Sequence, residues 1–413
     1  MSRRRKGPAT LRMAFPHRSR GASRTAGLQA RIFERARRRA VQRLLRNGVA
    51  ALNPAAMALQ HDPRPALPAR TLASSADLAS AGLIPARRAA ALAEVESRYS
   101  VAVTPEIAGL IDPSDPADPI ARQFLPDARE IVTLPQELTD PIGDTARSPV
   151  PGIVHRYPDR VLLKLLTVCP VYCRFCFRRE TVGRGKGDLL GEAEVEVALD
   201  YIAANPQIFE VILTGGDPLM LSARRLTQVA RRLAAIPHVA VLRVHTRAPT
   251  AAPDLVTPER LAALRESGKA LYVALHVNHA RELSVNACTA IARLRAAGAT
   301  LLSQTVLLAG VNDDAAILEQ LMHALLAQGV KPYYLHHPDL APGTGHFRTS
   351  IAAGKVLHAE LARRITGIGL PSYVLDIPGG FGKIPVSALE PDGAGGWRVL
   401  DRAGRLHLYR DDL

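Results

Sequence analysis

The chain has 413 residues, 47% hydrophobic and 22% charged, with four cysteines and a formal net charge of +15. That length buries a full core without staples, and so few cysteines exclude a disulfide-rich secreted scaffold and suit a reducing compartment. No run reaches the ~18 uninterrupted apolar residues of a membrane span, Lys164 breaking even VLLKLLTVCPV, so a membrane protein is excluded and a cytoplasmic one expected.

The charge is local. Residues 1–48 hold fourteen Arg and one Lys against a single acid, Glu34, which leaves the rest of the chain nearly neutral. A nucleic-acid surface on the working domain is therefore not expected. The segment has no apolar h-region and is not a secretory signal. A basic, disordered tail is expected, or a start placed too early with Met13 as one alternative; an Arg-rich organelle-import segment is the other reading. Within it, residues 28–47 (LQARIFERARRRAVQRLLRN) have the make-up of a basic helix. Residues 49–150 are Ala- and Pro-rich, with helical stretches such as RRAAALAEVESRY and loops such as DPSDPADP, and form a helical N-terminal region.

From residue 160 the pattern becomes regular. The strand RVLLKLLTV is followed by a cysteine loop and the helix GEAEVEVALDYIAAN; IFEVILTGG by SARRLTQVARRLAAI; VAVLRVHTR by TPERLAALRESG. LYVALHV precedes RELSVNACTAIARLRAAG, TLLSQTVLL precedes DDAAILEQLMHALLAQG, and KPYYLHH precedes SIAAGKVLHAELARRIT, before a last strand SYVLDIP. Strands alternating with helices of this length mean βα units on a parallel sheet. Six units and a last strand are too few for a closed eightfold barrel and predict an α/β fold built on a partial (β/α)6-type barrel over residues 151–385. Residues 386–413 form a short extension whose RAGR centre predicts a hairpin.

In such sheets ligands sit at the carboxyl ends of the strands. The unusual residues fall there: the cysteine loop, GGDPL (215–219), HTR (245–247), HVNH (276–279), HHPDL (336–340) and DIPGGFGK (376–383). Cys169, Cys173 and Cys176 share one loop, and only Cys288 remains elsewhere, so a disulfide framework is a poor account of them. Zinc would need a fourth ligand, while Cys288 lies in a predicted amphipathic helix beside Ala287 and Ala290, where core burial is expected. A four-iron cluster with three protein ligands and one open iron fits better. Lys383, in a glycine-rich loop, is open to two readings, a solvated turn residue or a partly desolvated amine able to form a Schiff base.

The C-x3-C-x2-C loop after the first strand of a partial barrel resembles the radical S-adenosylmethionine superfamily. The resemblance implies a [4Fe-4S] cluster on Cys169, Cys173 and Cys176 whose open iron is chelated by S-adenosylmethionine. It also implies Gly215, Gly216 and Asp217 as the glycine-rich turn against that ligand. Across roughly residues 100–390, HRYPDR, CPVYCRFCFRR, TGGDPL, HTRAP, HVNH, QTVLLAGVND, PYYLHHPDL, GHFRT and DIPGGFGK occur in the order and spacing of the lysine 2,3-aminomutases. That resemblance implies 2,3-amino migration on L-lysine to give β-lysine, with pyridoxal 5'-phosphate held as a Schiff base by Lys383. Phe381 stands where the family has a glycine.

By the same resemblance Arg156 and Arg160 approach the cofactor phosphate, Arg178 pairs with the substrate carboxylate, and Asp339 and Asp376 bind the ε-ammonium group. Nothing nearby is expected to neutralise the two aspartates. An electron donor such as flavodoxin or ferredoxin and a homo-oligomeric state are expected. The family's zinc-binding cysteines are missing, since Asp314 follows GVND and no cysteine follows Cys288, so no zinc-stabilised assembly is expected. The rival readings are an aminomutase acting in elongation factor P lysine modification or on another amino acid, and a radical enzyme that modifies RNA. The charge confined to the tail, and a Lys383 that RNA chemistry would not need, argue against the last.

Overall fold

The structure, a computed structural model, describes residues 68–183, 185 and 189–411; the basic tail and the helix expected over residues 28–47 lie outside the described residues. Five short helices open the described chain: α1 (Ser75–Ser80), α2 (Ala86–Ala91), α3 (Ala93–Arg98), α4 (Pro105–Leu110) and α5 (Pro119–Phe124). Their starts are written in the sequence. Ser74, Thr104 and Asp118 each accept from backbone N–H groups of the first turn, and Pro105 and Pro119 stand where no donor is needed. Their apolar faces form a cluster around Phe124, Ile107 and Leu78 that takes in Val171 from the cysteine loop and Ala251. The N-terminal region is thus packed onto the barrel.

The barrel strands are β1 (Ile153–Tyr157), β2 (Arg160–Leu166), β3 (Glu210–Gly215), β4 (Val241–Thr246), β5 (Ala270–His276), β6 (Thr300–Val306), β7 (Lys331–His336), β8 (Ser372–Ile377) and β9 (Gly382–Pro385). They pair in sequence order as one nine-stranded sheet. Pairing is parallel from β2 to β8 and antiparallel at both ends. The helices between them are α6 (Glu192–Ala203), α7 (Ala223–Ala234), α8 (Ala248–Ala251), α9 (Pro258–Arg265), α10 (Val285–Ala296), α11 (Ala315–Ala327) and α12 (Ile351–Arg364). Ser222, Ser284, Asp314 and Ser350 cap four of them, so Asp314 after GVND starts a helix. The main core lies between strands and helices, with Val161, Leu163 and Leu165 of β2 buried outward while Arg160 and Leu162 face the cavity within.

The six units and last strand match the sequence reading. The antiparallel strands β1 and β9 do not appear in it: both are short, and β9 follows a glycine run that reads as loop. Lys383 therefore stands on β9, one residue past the loop's last glycine. A separate three-stranded sheet, β10 (Glu390–Pro391), β11 (Trp397–Leu400) and β12 (Leu406–Tyr409), ends the described chain, β11 and β12 forming an antiparallel hairpin. No helix among the described residues is long and apolar enough to cross a membrane.

Candidate active site

A cavity of about 280 Å³ opens at the carboxyl ends of the parallel strands, and all twelve residues singled out above line it: Cys169, Cys173, Cys176, Arg156, Arg160, Arg178, Gly215, Gly216, Asp217, Asp339, Asp376 and Lys383. They come from positions up to 227 residues apart in sequence, brought together by strand order alone.

At one end are the three thiols. Burial pushes the Cys169 thiol well up, Cys173 up to about 11 and Cys176 upward, so as free thiols they hold their protons at neutral pH and ligation would release them. Cys288 is elsewhere. It sits half-buried on the flank of α10, its thiol donating to the Leu283 carbonyl at 3.6 Å, while Ala287, Ala290, Ile291 and Leu294 form the buried stripe. The expected core burial of Cys288 is thus corrected: the helix turns one position away from it.

Gly215 and Gly216 pack against the strand leading into the cysteine loop. A Cβ on Gly216 would stand 2.2 Å from the Val168 carbonyl oxygen, and Gly215 holds φ +105°. Only glycine lets the end of β3 approach so closely. Asp217 follows, but four donors take its carboxylate: the backbone N–H groups of Leu219, Arg247 and Ala248, and the Thr246 hydroxyl. It joins the end of β3 to the end of β4.

Arg156 and Arg178 converge on an acid that sequence reasoning missed. Asp144 accepts from Arg178 Nε at 2.8 Å and Arg156 Nη2 at 3.1 Å, and Lys164 Nζ lies 3.6 Å away. Burial would raise its carboxyl pKa, yet Arg178, Lys164 and Arg156 together hold it below the usual range. Asp144 belongs to the DPIGD segment, which carried no sequence signal beyond turn composition. Arg160 stacks over Tyr157, its Cζ 3.8 Å from the ring centroid.

Arg156 also reaches the aspartates. Lys383 Nζ donates to Asp376, whose other oxygen is 3.6 Å from Arg156 Nη1, and His336 Nδ1 is 3.3 Å from Lys383 Nζ. The expectation that nothing neutralises the pair is therefore wrong for Asp376: cations 220 and 7 residues away in sequence meet it. Asp339 lies deep enough that desolvation, with Asp376 nearby, pushes its carboxyl up to about 7. His245, His276 and His336 also line the cavity, and burial holds each well below its usual range, hence neutral. Their motifs were visible at strand ends, but nothing in them pointed to a role.

Residues 163–321 match the radical SAM superfamily. An L-lysine 2,3-aminomutase of Fusobacterium nucleatum is 39% identical over 286 residues, 69% of this chain and 67% of that protein. The L-lysine 2,3-aminomutase of Clostridium subterminale is 38% identical over 295 residues, 71% of this chain and 70% of its own. The chain belongs to the lysine 2,3-aminomutase family. An Escherichia coli member named L-lysine 2,3-aminomutase is 37% identical over 67% of this chain and 80% of its own length. The family's cofactors are a [4Fe-4S] cluster, S-adenosylmethionine and pyridoxal phosphate, and the residues present fit them. Three thiols share one loop at the cavity, two glycines clear its floor beside them, and a lysine stands among arginines. Arg156 Nε and His336 Nε2 are buried without a partner among the described residues.

Proposed function

We propose that this chain interconverts L-lysine and β-lysine by moving the amino group between C2 and C3. The observation that carries the proposal is the charge layout of the cavity. Arg156, Arg160 and Arg178 supply cations from β1, β2 and the turn after the cysteine loop, Asp339 and Asp376 supply anions at the ends of β7 and β8, and Arg156 and Lys383 both meet Asp376. An α-amino acid with a cationic tail has the complementary charge at both ends.

When bound, the cluster and S-adenosylmethionine would supply a radical able to take hydrogen from an unactivated carbon, and pyridoxal phosphate would supply a conjugated ring that spreads the unpaired electron while the nitrogen passes between C2 and C3. The chain positions and shields. Arg156 and Arg160 hold the phosphate, planar donors suiting its oxygens. Arg178 turns from Asp144 to the substrate carboxylate. Asp339 and Asp376 hold the ε-ammonium, which fixes the distance from C3 to the cluster end. Lys383 would hold the cofactor, and Asp376, its partner here, would then be open to the substrate. Leu162, Val171, Phe175 and Ile212 line the rest of the cavity and exclude water from the reacting carbons. The reducing electron comes from a partner such as flavodoxin or ferredoxin.

The test is anaerobic reconstitution with iron, sulfide, pyridoxal phosphate, S-adenosylmethionine, reductant and lysine, followed by amino-acid analysis. β-Lysine should form, and borohydride should trap the cofactor on Lys383. Lys383→Ala should keep the iron content and lose both trapping and product. Turnover of glutamate in place of lysine would overturn the substrate, and trapping at another lysine would overturn the role of Lys383.

A further inference from the structure

The sheet is open, with β1 and β9 as its two edges. Across that seam the Lys383 backbone N–H donates to the Tyr157 hydroxyl at 2.7 Å. The β11–β12 hairpin lies over the same seam and touches both sides. On the β1 side Arg402 places its Cζ 5.3 Å from the Tyr157 ring centroid. On the β9 side Phe381 packs against His407, centroids 4.3 Å apart and rings tilted by 40°, with Arg405 Cζ 5.0 Å from its ring. The hairpin is itself held firmly. The Asp401 carboxylate, 2% exposed, accepts from Arg405 Nε at 2.9 Å and lies 2.9 Å from His407 Nε2; it also accepts from the backbone N–H groups of Ala403 and Arg405. Tyr409 and Val399 anchor the hairpin in the main core.

Phe381 stands where the resemblance implies a glycine, and the backbone shows why a side chain fits there. Gly379, Gly380 and Gly382 all have positive φ, at 83°, 83° and 103°, while Phe381 does not. It is the one place between them where a side chain costs no strain. A loop with three such glycines has wide backbone freedom, and a ring fixed in its middle removes much of it before any ligand arrives.

We propose that the C-terminal hairpin clasps the open seam of the barrel and that Phe381 is its positioning residue, holding the Lys383 loop in the geometry that receives pyridoxal phosphate. The proposal rests on the reading of Lys383 as the cofactor lysine. It makes the extension part of the active-site scaffold, although no residue of the hairpin lines the cavity.

The experiment uses the full-length protein and reads cofactor binding, not turnover. Pyridoxal phosphate affinity, its dissociation rate and borohydride trapping are measured for wild type, Phe381→Gly, Phe381→Tyr, His407→Ala and the Phe381→Gly/His407→Ala double variant, with iron content and thermal midpoint alongside. Releasing the loop should weaken affinity about tenfold in Phe381→Gly, the scale of ordering one short loop. His407→Ala should do the same, the double variant should be no worse than either single one, and Phe381→Tyr should match wild type. Wild-type affinity in Phe381→Gly, or losses that multiply in the double variant, would overturn the clasp. Absence of trapping at Lys383 in the wild type would instead overturn the cofactor reading beneath it.

Discussion

At Asp339, desolvation in the cavity and the nearby Asp376 carboxylate push the carboxyl up to about 7 from an ordinary value of 3.8, against the pull of Lys383, Arg156 and Arg178. Between about pH 4 and pH 7 the folded chain therefore holds a proton there that the unfolded chain has released. By linkage, the ligand-free protein loses stability at this site as pH rises through that window. A bound ammonium selects the ionised form. Lysine binding should accordingly strengthen as pH rises through about 7, with proton release below that, read by calorimetry in buffers of different ionisation heat. Asp339→Asn should weaken lysine by about 2 kcal/mol and flatten the profile. An unchanged pH profile in that variant would place the ammonium site elsewhere.

Between elements, one acid ties the N-terminal region to the cysteine loop. Glu130 sits in a single turn, Ala128–Ile131, capped by Asp127, and is fully buried. It accepts from Arg174 Nε at 3.0 Å and Nη2 at 2.6 Å and also pairs with Arg179, and these arginines flank Cys173 and Cys176. A carboxylate serving two buried guanidinium groups cannot be removed cheaply, since both would be left short of a partner. Glu130→Gln should cost about 3–5 kcal/mol in urea unfolding and lower the iron retained after anaerobic reconstitution. An unchanged urea midpoint would make the network dispensable. The partners are 44 and 49 residues apart, too far for any local pattern to pair them.

Over the whole molecule the cavity is an ionic balance assembled where the two edges of the sheet approach each other. Lys383 from β9 occupies Asp376 from β8, and Asp144, outside the sheet, occupies Arg178 and Arg156. These internal partners stand where ligand charges would go. Lysine should therefore bind poorly to cofactor-free protein and markedly better to cofactor-free Lys383→Ala, in which Asp376 has lost that partner, as equilibrium dialysis would read; equal affinity in both forms would mean that Lys383 does not compete. The strand–helix rhythm, the cysteine spacing and the strand-end positions of the candidate residues were legible in the sequence because they depend on local periodicity and on one rule, that a parallel sheet gathers its strand ends at one mouth. The hub at Asp144, the contact of Arg156 with Asp376 and the packing of the C-terminal hairpin on Phe381 were decided by tertiary structure. Each depends on where segments remote in sequence meet, and a charge or a ring carries no local mark of its distant partner.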